Sequence, residues 1–258
     1  KSINKNSSIK LIILGLDREV FYSKSDYQSD LEDDILPFRI AEVSFSMSRR
    51  IYLDYFSKKY SLINLIQKSE VSNNIGVSAL LKDDGFRYDG SYKYGSAMDS
   101  KDRKEYLFLK TKEKVNKIKN NNFDYEQDRI YLERNFEVLR SIIKLCKERN
   151  IEIVGFITPY PSDIYNAISE NDNNFKYFSE SLVDIFEDNK LAIFDFSDIK
   201  NFGGKDTEFV DEVHGTDGMY LKIMIFMTKK SSILNKYVNL DNLKNLLKNT
   251  EGDFLNIR

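Results

Sequence analysis

The chain has 258 residues and a formal net charge of −2 at pH 7, enough length to bury a core without disulfide or metal staples and too little positive charge for a general nucleic-acid binder, which needs a field that recruits phosphate. One cysteine, Cys146, and one histidine, His214, exclude an internal disulfide and leave no Cys/His ligand set for a metal. No run reaches the roughly eighteen continuous apolar residues of a membrane span, and the opening Lys1-Ser2-Ile3-Asn4 is no signal peptide.

A single α/β domain over residues 1–258 is expected. Ile9 to Leu14 is a compact apolar run that reads as a buried strand ended by Gly15, with Leu16-Asp17-Arg18 emerging from its C-terminal end. Ala41 to Ile66 has helical spacing. Asp84-Gly85 and Asp89-Gly90 stand close enough together to demand tight turns, so Asp84 to Tyr92 is a loop or a short hairpin. Lys110 to Asn122 is Lys- and Asn-rich and reads as a solvated surface segment.

Between Asp124 and Arg149, the set Leu132, Phe136, Leu139, Ile143 and Cys146 recurs at helical spacing, which makes Cys146 a core residue. Ile151 to Ile157 follows as a second buried strand, ended by Thr158-Pro159-Tyr160-Pro161. A helix from about Phe175 to Glu187 leads to a third strand, Leu191 to Phe196. The loop Ser197 to Gly215 comes next, and Thr216 or Asp217 caps a last core helix through about Met227. Such alternation argues for a doubly wound, three-layer fold with a mostly parallel sheet of the flavodoxin-like kind, in which ligands bind at the C-terminal strand ends. Asp17, the Thr-Pro-Tyr-Pro loop and the loop bearing His214 all fall at that edge.

The chemistry centres on Asp211-Glu212-Val213-His214. An imidazole is the usual proton carrier near neutral pH, and an aspartate can fix its tautomer and stabilise the imidazolium. This makes His214 the candidate general base and Asp211 its orienting acid. Asp17, Arg87, Tyr88, Tyr92 and Tyr160 are candidate substrate-binding residues, the tyrosines as platforms for sugar rings.

With those residues in place, the chain resembles the SGNH (GDSL-type) hydrolases, whose closing block is a late Asp-x-x-His before the final helix. It is similar in particular to the SGNH-like proteins of bacterial envelopes that work beside membrane-bound O-acyltransferases or in teichoic acid D-alanylation. The segments that carry this resemblance are Gly15-Leu16-Asp17 with Phe21, Asp84 to Gly90, Ile157 to Pro161, and Phe202-Gly203-Gly204 leading into the Asp/His block. The resemblance implies acyl transfer or ester hydrolysis on a cell-surface polysaccharide or teichoic acid. It also implies no cofactor, an extracytoplasmic location, an anchor outside this chain, and a membrane-bound O-acyltransferase as a possible partner. A non-catalytic envelope protein that binds a glycan or such a partner is the alternative.

The departure is the nucleophile, because no Gly-Asp-Ser or Gly-x-Ser follows the first strand. Either Asp17 occupies the serine's place, or Gly15-Leu16-Asp17 belongs to a later strand and the nucleophile strand precedes Lys1. The second placement is preferred, since Gly-Leu-Asp resembles the family's second strand end and the chain starts so abruptly. Ser91 and Ser96 each follow a glycine, but in a loop that lacks the strand-to-helix turn exposing a nucleophile.

Overall fold

The computed structural model describes residues 9–22, 103–120 and 125–248, with scattered positions between 52 and 93. Its contacts group the chain into two compact units, one made of residues 1–24 and 104–258, the other of residues 25–103. The first is a mixed α/β unit, mainly helical, around a three-stranded parallel sheet.

That sheet contains β1 (Leu11–Leu16), β4 (Glu152–Ile157) and β5 (Ala192–Asp195) in the order β1-β4-β5, with Leu16 opposite Ile157 and Ile157 opposite Asp195. The strand expected to stop at Leu14, before Gly15, runs two residues further, to Leu16. Gly15 lies inside β1 because the Phe156 ring of β4 sits against it, only 3.2 Å from where a Cβ would stand. Central β4 is buried on both sides, as its continuous apolar run requires: Ile153 and Ile157 join one hydrophobic cluster and Val154 another.

The first cluster is completed by helices. After β1 comes the single-turn α1 (Arg18–Phe21), and later α2 (Arg103–Asn120) and α3 (Tyr125–Glu148). The stripe expected on α3 is the buried one: Leu132, Phe136, Leu139, Ile143 and Cys146 all pack into this core. The Lys-rich segment is part of α2, whose Ile118 reaches the same core while most of its charged residues stay exposed. Between β4 and β5 run α4 (Ser162–Asn171) and α5 (Asn173–Asp188). Only α5 follows from apolar spacing. Helix α4 starts behind Pro161, which offers no side-chain cap, and its Ser162 amide is satisfied instead by the Asp206 carboxylate 44 residues away, at 2.6 Å.

Two short 3₁₀ turns, Ile199–Phe202 and Asp206–Glu208, fill the loop after β5. Helix α6 (Asp217–Lys230) then lays Met219, Ile223 and Met227 into the second cluster with Val154 and Phe196. The single-turn α7 (Leu234–Tyr237) and the surface helix α8 (Leu240–Lys248) close the described chain. Among the described residues no helix is long and apolar enough to cross a membrane.

In the second unit, the expected short hairpin is formed by β2 (Gly85–Phe86) and β3 (Tyr92–Lys93), antiparallel to each other. Of the expected helix from Ala41 to Ile66, the positions up to 51 lie outside the described residues, and Tyr52, Leu53, Tyr55, Phe56, Ile63 and Ile66 are helical.

Gly155 sets a limit on the centre of the sheet. A Cβ there would stand 2.5 Å from the ring of Phe186, a wholly buried side chain. Gly155→Ala is therefore expected to lower unfolding free energy by about 1–3 kcal/mol, the usual cost of overpacking, as read from a denaturant midpoint. A midpoint at the wild-type value would mean that the ring is freer than its packing indicates.

Candidate functional site

The loop between β5 and α6 is built to present two side chains. Phe209 and Val210 are wholly buried and anchor its near end. Phe209 bridges antiparallel to Gly215, the Val210 amide donates to the His214 carbonyl at 2.7 Å, and the Thr216 amide donates to the Glu208 carbonyl at 2.8 Å. The Glu208 side chain, almost fully buried, accepts from the Lys205 amide and pairs with Lys222 of α6, fastening the loop to that helix. At the far end the Thr216 hydroxyl caps α6 by accepting from the Met219 amide, and Gly215 admits Met219 and Tyr220 where a Cβ would meet the Met219 sulfur at 2.6 Å.

Pinned at both ends, residues 211–214 turn tightly. Asp211 Oδ1 accepts from the Val213 amide at 2.9 Å and from the His214 amide at 2.8 Å. These bonds explain the spacing of three, since they hold the carboxylate over the ring it serves. His214 Nδ1 lies 2.7 Å from Asp211 Oδ2 and 3.0 Å from Oδ1. An ionised carboxylate only accepts, so Nδ1 carries the proton and Nε2 is left as the nitrogen available for proton exchange. The imidazole is neither sunk in the core nor isolated: its side chain is 59% exposed and that of Asp211 23%.

The charges respond accordingly. Partial burial favours the neutral Asp211 carboxyl, yet hydrogen bonds from the His214 ring and from the Val213 and His214 amides outweigh it and bring the group below its ordinary value. The hydrogen bond to Asp211 raises His214 above its ordinary 6.5 against some desolvation, and the charges of Asp211, Asp17 and Glu212 add to the rise. A histidine raised in the fold stabilises it fully below the unfolded value and loses that contribution as pH climbs through the raised one; a lowered aspartate contributes above its unfolded value and loses it on acidification. The thermal midpoint difference between wild type and His214→Ala is thus expected to be largest at about pH 5 and to shrink above the raised imidazole value. A difference that stays constant from acid to alkaline pH would contradict the pairing.

Asp17 stands at the turn from β1 into α1. Its carboxylate caps the helix by accepting from the Glu19 amide at 2.8 Å. Burial raises its pKa, and the His214 and Lys114 charges oppose the rise, so Asp17 and His214 lie within each other's electrostatic reach although 197 residues separate them.

Tyr160 needs a correction. Its ring is only 3% exposed and packs in the core, edge-on to Phe175 at 6.2 Å, so it offers no open face to a sugar. Its hydroxyl is buried near the Arg18 amide and the Asp17 carboxylate without a well-formed hydrogen bond, and burial pushes the phenol far up. Arg87 and Tyr92 belong to the second unit. Arg87 is buried, and Tyr92 is partly exposed with the Phe86 ring edge-on at 5.1 Å. Tyr88, Ser91 and Ser96 lie outside the described residues.

Three neighbours of the site went unread in the sequence. Tyr220, on the first turn of α6, has a desolvated phenol that lies near the Gly215 backbone and feels the Asp17 and Asp211 charges. Its position four residues after the Thr216 cap was the available signal. The other two are Arg18 and Asp172, which form an ion pair with side chains 11% and 0% exposed; nothing in the sequence links them. No family model, curated protein or solved structure matches the chain.

Proposed function

We propose that this protein is an SGNH-like constituent of the bacterial cell envelope whose sheet-edge site serves acyl transfer or ester hydrolysis on a surface polysaccharide or teichoic acid. In this reading His214 is the general base, Asp211 orients it, and Asp17 stands where the nucleophilic serine would be. The carrying observation is the Asp17 carboxylate on the strand-to-helix turn, within electrostatic reach of an imidazole whose other nitrogen Asp211 already holds. That placement favours a serine replaced by Asp17 over a nucleophile strand before Lys1. The two hydrophobic clusters that meet β4 through alternate residues support the doubly wound, three-layer form of the fold.

A carboxylate beside an imidazole pairs with it sooner than it attacks an ester, so Asp17 forms no acyl-enzyme. The base can still take a proton directly from water or from an acceptor hydroxyl, with the acyl group supplied by a partner such as a membrane-bound acyltransferase. The deciding experiment compares hydrolysis of an activated acetyl ester by wild type and Asp17→Ser. Turnover gained by the variant supports the reading. A folded variant no faster than wild type overturns it, and retention of that inert protein on an immobilised envelope glycan would assign the chain to binding instead.

A further inference from the structure

In the second unit, every residue described between 52 and 67 is exposed. Six of them are large and apolar: Tyr52, Leu53, Tyr55, Phe56, Ile63 and Ile66, from 38% exposed at Tyr55 to 75% at Phe56. All six are helical. On a helix of 3.6 residues per turn the first four fall within one arc of about 160°, an apolar face and not a scatter. The Tyr55 and Phe56 rings meet edge-on at 5.6 Å, and a left-handed Lys58 (φ 56°), whose amide donates to the Tyr55 carbonyl at 2.9 Å, ends that turn.

The same stretch is basic within an acidic chain. Between 49 and 68 stand Arg49, Arg50, Lys58, Lys59 and Lys68 against one acid, Asp54, whereas the whole chain carries −2. Apolar side chains exposed together mark a surface that something covers. A soluble polyanion would satisfy the basic residues and leave the apolar ones in water, and an apolar protein groove would do the reverse. An anionic bilayer meets both needs: phosphates for Lys and Arg, acyl chains just beneath for Phe, Leu and Ile, and a boundary suited to tyrosine, whose ring is apolar and whose hydroxyl stays wet.

We propose that the helical segment 52–66 is a docking surface for an anionic lipid membrane, with Leu53, Phe56, Ile63 and Ile66 entering the boundary between headgroups and acyl chains and the flanking basic residues held by lipid phosphates. The segment lies on the bilayer and does not cross it. The proposal needs no step of the acyl-transfer reading, and its failure would leave that reading untouched.

The chain has no tryptophan, so Phe56→Trp places a single reporter at the most exposed of the six positions. In the whole chain without lipid, its emission is expected to be that of a solvated indole. Vesicles of equal parts phosphatidylcholine and phosphatidylglycerol should shift it to the blue, and brominated acyl chains should quench it; phosphatidylcholine alone should bind at least about tenfold more weakly. In that background Leu53→Ser/Ile63→Ser, which leaves the charge unchanged, and Lys58→Gln/Lys59→Gln, which leaves the apolar face, should each weaken binding roughly tenfold.

Emission already blue without lipid would show that the protein covers the segment itself, and a blue shift that grows with protein concentration alone would assign it to a second copy. A response to dextran sulfate with none to vesicles would make the partner a soluble polyanion. Each of these, or no response to anionic vesicles, overturns the proposal. Should Phe56→Trp fail to fold, Ile63→Trp, at a position 67% exposed, carries the same reporter with the same expected and overturning results.

Discussion

Asp17→Ser is expected to hydrolyse an activated acetyl ester about 10²-fold faster than wild type, the lower end of what a positioned general base contributes. The fold should accept the change, because serine is as good a helix cap as aspartate and its hydroxyl can take over the bond from the Glu19 amide. Removing the carboxylate also takes away one of the charges that raise His214, so a larger neutral fraction of the base is present at pH 7. His214→Ala introduced into Asp17→Ser should abolish the gain. The same change in wild type should remove only the smaller rate that the base supports by taking a proton directly from water. A gain that survives loss of the histidine would show that serine is working without the base, and the assignment of His214 would be wrong.

The largest effect on stability is expected from Asp172→Ala. The substitution leaves the Arg18 guanidinium, whose side chain is 11% exposed, without its counter-charge. It also removes the acceptor for the Asn174 amide at the start of α5. Breaking one partner of a buried pair costs about 3–5 kcal/mol, and a lost cap adds about 1 kcal/mol, against a total stability on the order of 5–15 kcal/mol for a folded domain. Asp172→Asn keeps an acceptor for the cap and should fall less. The double variant Arg18→Met/Asp172→Leu, which removes both charges, should recover most of the loss, because the penalty belongs to the uncompensated guanidinium. Chemical denaturation of the four proteins measures this. A double variant as weak as Asp172→Ala would mean that the cap, and not the charge, carries the cost.

The sequence was most informative where one segment contains its own reasons. Leu132, Phe136, Leu139, Ile143 and Cys146 define a buried helical face by spacing alone, and Ile151 to Ile157 is apolar enough to be a strand covered on both sides; both observations match the structure. The Asp211–His214 bond was legible for the same reason, since the carboxylate reaches the ring through a turn of its own backbone. Boundaries were less so: Gly15 reads as a strand end until the Phe156 ring that occupies its face is known.

What only the tertiary structure decided are the pairings between distant segments. Asp17 at the end of β1 and His214 almost 200 residues later feel each other's charge, and no local pattern encodes that relation. Helix α4 begins on an amide whose acceptor, Asp206, comes from another loop, and Arg18 meets Asp172 across 154 residues. Tyr160 looked available in the sequence because tyrosine is amphipathic and follows a proline at a strand end. Packing against Phe175 turned its ring inward. Local periodicity and turn chemistry are written in consecutive residues, whereas burial and long-range charge depend on which surfaces the folded chain brings together.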